Sequence, residues 1–267
     1  MAIIIDGARE EIPGIRSTCY LDDSSLGLTA EDCRNRSAVW IRGIVLHTTR
    51  GIPGGRDLRP QVILPGIGAS SDAGHRVASC WAAAGRAGGA HLVVDYDGQV
   101  SCCADLLRTA TYHAGAVNNV TIGIEVAQGS RAELYAGQLD LVVQLVDWLT
   151  KRFGIQRQIP DGYHGPIERL ELGARDFVGV FGHRDSSNNR GQGDPGDEIF
   201  RLLEAAGYER WDLLQRQDIG AWKSRQHALG IEPADGVPGP MTVVALAAAG
   251  HRGGLWVPRP GDAPLVA

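Results

Sequence analysis

The chain has 267 residues, which predicts one large domain or one domain with a small companion, and it is long enough to bury a real core. Hydrophobic residues make up 43% and charged residues 21%, ordinary for a globular chain, while the net charge of −5 argues against a nucleic-acid binder or a polybasic membrane-surface protein. No run of about 18 apolar residues occurs, so no transmembrane helix and no membrane insertion are expected.

The start, MAIIID, has no basic residues and only a brief apolar stretch, too short for a secretory signal. A chain made in the cytoplasm is therefore expected. Residues 1–38 read as a polar, irregular extension with one short strand at Ile3–Ile5. Residues 40–46 (WIRGIVL) are a short apolar run that reads as a buried strand ending at His47. Residues 50–78 are rich in Gly, Pro, Ser and Asp and read as a long loop, a kind of segment that is often functional. Two runs, 91–96 (HLVVDY) and 99–104 (QVSCCA), flank Asp97-Gly98 and predict a hairpin. Residues 121–126 (TIGIEV) are a further strand. Leu139, Val142, Val143, Val146 and Leu149 follow helical spacing, with Gly154 as the stop. Residues 177–181 (FVGVF) form another buried strand just before His183. A second helix opens at Asp194-Pro195, lines one face with Ile199, Leu202, Leu203 and Ala206, and ends at Gly207.

This interleaving predicts an α/β fold with a central mixed β-sheet flanked by helices. After Gly207 the texture changes. Helical spacing over 211–229, a turn cluster at 235–240 and a short helix through Ala249 predict a small helical module, so the expected division is 1–207 and 208–267. The five cysteines, Cys19, Cys33, Cys80, Cys102 and Cys103, are odd in number and include an adjacent pair, which fits a reduced protein; a Cys19–Cys33 disulfide stays open. Strand alternation sends Cys102 and Cys103 to opposite faces.

Walker A, GxGxxG after a strand, GxSxG, HExxH and CxxC are all missing, which lowers NTPase, dehydrogenase, serine-hydrolase and zinc-ribbon readings. Instead, polar residues punctuate the apolar strands: His47 after WIRGIVL, Glu125 within TIGIEV, and His183 followed by Asp194. Two imidazoles and a carboxylate with a fourth position open make a hydrolytic zinc site, and a nearby carboxylate serves as general base. Taken singly, each has another reading. A histidine at a strand end is more often structural, Asp194 before Pro195 suits a helix N-cap, and Glu125 suits an ion pair within the sheet.

The strings VLHTT (45–49), AHLVVDYDGQV (90–100), YHAG (112–115), TIGIE (121–125) and GHRD…DPG (182–185, 194–196) resemble, in the same order, those of the zinc-dependent N-acetylmuramoyl-L-alanine amidases. That superfamily includes phage lysozyme-type amidases and peptidoglycan recognition proteins. The resemblance spans roughly 38–207. It implies one Zn²⁺ per chain held by His47, His183 and Asp194, with Glu125 as the base that activates water. The bond cut would join the lactyl group of N-acetylmuramic acid to L-alanine of the stem peptide. His91 and His113 match family histidines that would line the substrate cleft or support the ligands by hydrogen bonds. Related amidases often carry a basic residue two positions before the last ligand, to stabilise the oxyanion; here Gln192 stands there. Either Gln192 donates a neutral hydrogen bond or Arg190 reaches in. WKSRQHALG (222–230) and DGVPGPMTVVAL (235–246) resemble the small helical peptidoglycan-binding module found beside wall hydrolases, which raises effective substrate concentration.

The expected function is thus an endolysin-type peptidoglycan hydrolase acting on the bacterial wall after release. Two rivals are a non-catalytic peptidoglycan-binding protein and a zinc peptidase on the stem peptide. Members of the superfamily that lack a ligand bind without cutting, and all three candidate ligands and the glutamate are present here.

Overall fold

The computed structural model describes residues 2–23, 25–28, 34–36, 41–49, 62–84, 88–129, 132–160, 178–186, 193–211, 226–228 and 230. In chain order the elements are β1 (Ile3–Ile5), β2 (Ala8–Glu10), β3 (Ser17–Cys19), β4 (Arg34–Asn35), β5 (Gly43–Thr48), β6 (Val62–Leu64), α1 (Ala73–Ala83), β7 (Leu92–Val94), β8 (Val100–Cys102) and β9 (Thr109–Ala110). They continue as β10 (Thr121–Val126), β11 (Glu133–Tyr135), α2 (Ala136–Phe153), β12 (Gln158–Pro160), β13 (Gly179–Gly182), α3 (His183–Ser186), α4 (Asp197–Ala205) and β14 (Glu209–Trp211).

The central sheet has the order β13-β5-β10-β7-β8-β3. The first four strands run parallel, β8 returns antiparallel to β7, and β3 is parallel to β8, so the sheet is mixed. The β7–β8 return is the expected hairpin. Its Gly98 takes φ +77°, a left-handed conformation that side chains disfavour, and a Cβ there would collide with Leu141 of α2.

Side-chain alternation along β5, β10 and β7 divides the sheet into two unlike faces. Ile44, Leu46, Ile122, Ile124, Val126, Leu92 and Val94 point one way and form the main core with Leu139, Val142, Leu145, Val146 and Leu149 of α2. These five helix side chains are at most 1% exposed, and each contributes about 2 kcal/mol by burial. Gly154, at φ 64°, ends α2 where the sequence places the stop. Gln138 in the first turn is fully buried and donates from Nε2 to Ala127 O at 2.9 Å, tying the helix to the end of β10. The opposite face carries Val93 and Cys103, packed against Ala78, Val77 and Trp81 of α1, and farther along it carries the buried polar residues His47 and Thr121. Cys102 and Cys103 do part to the two faces.

The structure differs from expectation in several places. The strand expected at Ile3–Ile5 is β1, but the rest of 1–38 is not simply irregular: β2 pairs with β1 in a ribbon and β3 is an edge strand of the central sheet. These strands are three residues long, too short to show a period. The 50–78 segment is not all loop, because β6 and the start of α1 lie in it, while residues 50–61 are outside the described residues. The strand expected at 40–46 is Gly43–Thr48, so His47 lies inside it. Just past the expected boundary at 207/208, Tyr208 belongs to the main core and β14 pairs with β12. Of the expected 208–267 module, only 208–211, 226–228 and 230 are described; Cys33 is outside the described residues, and Cys19, Cys80, Cys102 and Cys103 are free thiols. Among the described residues no helix is long and apolar enough to cross a membrane.

Candidate metal centre

The parallel register gathers the polar residues. β10 pairs with β5 so that Glu125 stands beside His47, on the same face, one inter-strand step of about 4.8 Å away. β13 pairs with β5 so that Gly182 is opposite Leu46. The next residue, His183, therefore lies past the strand end at the level of His47 and opens α3.

Asp194 comes from the loop before α4. Gly182 lets that loop close on the strand end, since a Cβ there would stand 2.9 Å from Cδ of Pro195. The amides of Thr48 and Arg184 donate to Oδ1 and O of Asp194, both at 2.8 Å, and the Thr48 hydroxyl donates to Gly193 O at 3.0 Å. Arg184, 1% exposed, anchors the same region through Asp197 Oδ1 at 2.7 Å and the Phe200 ring at 4.9 Å. Asp185 accepts the Gly182 amide at 2.8 Å. Asp194 is not the helix cap: the N-cap of α4 is Gly196.

His47, His183 and Asp194 are buried, and one ligand atom from each lies within 4.8 Å of the other two. Nδ1 of His47 is 2.9 Å from Nδ1 of His183, which is 3.2 Å from Oδ2 of Asp194. Tetrahedral zinc with bonds of about 2.0–2.1 Å spaces its ligands about 3.3 Å apart. The cluster is close to that spacing, and two nitrogens and one oxygen are the donor set of a hydrolytic rather than a structural zinc. The residues fit the ion.

His113 lies behind His47, with His47 Nε2 3.1 Å from His113 Nδ1. His113 Nε2 is 3.2 Å from the Thr121 hydroxyl, which donates to Val117 O at 2.9 Å. His91 is fully buried; its Nδ1 accepts the Gly123 amide at 2.9 Å and its Nε2 is 2.9 Å from Thr109 O. Burial first, and the Arg36 charge second, push both His91 and His113 well below the ordinary imidazole value, so both are neutral near pH 7. The histidine pair expected to line the cleft or support the ligands thus divides: His113 touches a candidate ligand, and His91 binds main chain beneath it. Gln192 and Arg190, the two oxyanion candidates, lie outside the described residues.

Sequence reasoning singled out Glu125 in TIGIE but not Thr121 and Gly123. Counting back in twos from Glu125 places both on its face of the sheet, and that alternation was the available signal.

The family description "N-acetylmuramoyl-L-alanine amidase" matches residues 36–197, more than half of the chain. The chain belongs to this amidase family. Among solved structures, it is similar to the endolysin N-acetylmuramoyl-L-alanine amidase LysCS from Clostridium intestinale, at 13% identity and TM-score 0.43 over 75% of this chain and 99% of that one. The Staphylococcus aureus hydrolase AmiA is 13% identical with TM-score 0.37, over 91% of this chain and 88% of that one. The Drosophila peptidoglycan recognition protein SD is 12% identical with TM-score 0.43, over 74% and 99%. No curated protein matches. The family match runs from Arg36 through Asp197 and so contains every residue of the metal centre described above.

Proposed function

We infer that this amidase hydrolyses the bond between the lactyl group of N-acetylmuramic acid and L-alanine, with zinc held by His47, His183 and Asp194. The observation that carries this reading is the buried cluster of those three side chains with Glu125 next to it in register. When bound, zinc would supply Lewis acidity that polarises the scissile carbonyl and acidifies water.

The chain's own residues supply the rest. Glu125, half-buried on the strand beside His47, accepts the proton of the attacking water at a carboxylate oxygen. It returns that proton to the leaving amine of L-alanine as the C–N bond breaks. Thr48 holds Asp194 Oδ1 through its amide, which leaves Oδ2 facing His183. Gln192 or Arg190, two and four positions before Asp194 in the sequence, would donate to the developing oxyanion, a contribution worth about a hundredfold or more in such sites. An endolysin-type role follows from the resemblance of 222–246 to a wall-binding module, which would hold the enzyme on its insoluble substrate.

The test is digestion of purified sacculi with and without a chelator. New N-terminal alanine without new reducing sugar is expected, and it is lost on chelation and restored by zinc. Glu125→Gln should lower turnover by about 10²–10⁴-fold while zinc content stays at one per chain. Cleavage that ignores the chelator, or full activity in Glu125→Gln, would overturn the reading. New reducing ends would point to a glycosidase, and new termini inside the stem would point to a peptidase.

A further inference from the structure

A buried chain of hydrogen bonds runs from His47 to the main chain, and its direction can be worked out link by link. The Thr121 hydroxyl has one proton and gives it to Val117 O, a carbonyl that only accepts. Toward His113 the same oxygen is therefore the acceptor, and His113 Nε2 carries the hydrogen. A neutral imidazole has one N–H, so His113 Nδ1 presents a lone pair. His47 Nε2, 3.1 Å away, must then be the donor. That leaves His47 Nδ1 unprotonated, and Nδ1 is the atom that faces His183 and Asp194.

The ring that does this has space made for it. Gly123 lies on β10 between Thr121 and Glu125, and a Cβ on it would stand 2.7 Å from both Cγ and Nδ1 of His113. The Asn118 side chain holds the segment from the other side, with Oδ1 accepting the His113 amide at 3.1 Å and the Ala114 amide at 2.6 Å. His113 is 7% exposed and His47 2%, so the pair sits at the floor of the site rather than on its rim.

We propose that His113, oriented by Thr121 and accommodated by Gly123, is a positioning residue that fixes His47 in the tautomer whose Nδ1, the atom facing His183, carries no proton. The proposal rests on the reading of His47 as a ligand. His113 thus acts on the ion through His47 and touches neither ion nor substrate. The bare Nδ1 is present before the ion arrives, so the ion need not compete with a proton at that atom.

The experiment measures zinc affinity of the full chain by competition with a chromophoric chelator. It is paired with the ring ¹⁵N shifts of His47 in the zinc-free protein. The wild type is expected to bind one zinc and to show His47 as the Nε2–H tautomer. His113→Ala should weaken zinc about 10–100-fold and give a tautomer mixture at His47. His113→Asn, whose side-chain oxygen can accept from His47 Nε2, should recover part of the loss. Thr121→Val, isosteric and suited to a strand, should weaken zinc several-fold while Thr121→Ser restores it. This pair keeps the test open if His113→Ala fails to fold. Wild-type affinity in both His113→Ala and Thr121→Val, or a wild-type His47 with its proton on Nδ1, would overturn the proposal. A wild-type chain that binds no zinc would instead overturn the metal reading itself, while the His47 tautomer would still report on the hydrogen-bond chain.

Discussion

Gly123→Ala tests whether the close approach of His113 to the sheet is a requirement of the site. An added Cβ would meet His113 Cγ and Nδ1 at 2.7 Å, where ordinary carbon contacts are about 3.5–4.0 Å. The ring must retreat by about 0.8 Å or the strand must bow. Either movement takes the His113 Nδ1 to His47 Nε2 separation, now 3.1 Å, beyond hydrogen-bond range. Overpacking costs about 1–3 kcal/mol, and the lost bond adds about 1 kcal/mol. Alanine recovers about 0.5–1 kcal/mol through the smaller entropy it loses in a strand. The balance is a destabilisation of about 1–3 kcal/mol, read as a shift of the urea midpoint at unchanged slope. Zinc affinity should fall about tenfold or more, because the bond that orients His47 is the one displaced. The decisive control is the double variant with His113→Ala. With the ring removed, the three atoms nearest the methyl group added by Gly123→Ala are gone, and its cost should fall sharply, a coupling that independent sites would not show. Equal cost of Gly123→Ala in both backgrounds would refute the steric argument, and a single variant as stable and as zinc-avid as the wild type would refute it more simply.

Three further outcomes follow from the geometry. Arg184→Leu removes a 1%-exposed guanidinium from Asp197 and Phe200 and leaves buried Asp185 without that cation, so it should cost about 3–5 kcal/mol in a denaturant melt; a loss under about 1 kcal/mol would show that the Arg184 ion pair contributes nothing. Burial opposes ionisation of Asp95, but donation from the Ser71 hydroxyl and from the Tyr96, Ser71 and Ala73 amides outweighs it and holds the carboxyl below its ordinary range. Its stabilisation is therefore complete above about pH 4 and is lost as the pH falls through the lower folded value, so Asp95→Asn should flatten the acid limb of stability against pH, and an unchanged limb would count against it. Cys19 lies in register with Cys102 on adjacent strands, and the thiol–thiol hydrogen bond pulls its pKa to about 6 against partial burial. Iodoacetamide labelling of Cys19, followed by peptide mass spectrometry, should show a midpoint near that value, moving up toward about 8.5 in Cys102→Ala; a wild-type midpoint already near about 8.5 would refute the pairing.

How far the sequence revealed the fold depended on element length and residue size. α2 was legible because its apolar residues repeat over 18 residues against one core face. α1 was not, since its buried positions are Ala73, Gly74 and Ala78, small residues that carry little apolar signal. β1 was legible as the apolar run Ile3–Ile5, whereas β2 and β3 are three polar or mixed residues each, and pairing rather than composition makes them strands. The candidate ligands His47, His183 and Asp194 were named because ordered motifs carried them. The two readings of Asp194, cap or ligand, were separable only once the cap was seen at Gly196. Strand alternation places Thr121 and Gly123 on the face of Glu125 but does not say what they touch there. Their meaning depends on a histidine from a separate segment, and such a contact has no local signature.

Parity and polarity together decide where the site can lie. β5, β10 and β13 run parallel, so their C-terminal ends gather along one edge of the sheet, the edge where α/β proteins commonly bind ligands. His47 is the fifth residue of β5, Glu125 is the fifth of β10, and His183 follows the last residue of β13. A shift of either strand by one residue would turn His47 or Glu125 onto the α2 face, among Leu46, Ile124 and Val142. An unpaired carboxylate there would lose several kcal/mol of hydration with no partner to offset it. The packing of α2 against the opposite face therefore does more than stabilise the domain. By making that face intolerant of charge, it fixes the register that holds Glu125 beside His47, and core and site are specified by the same alternation.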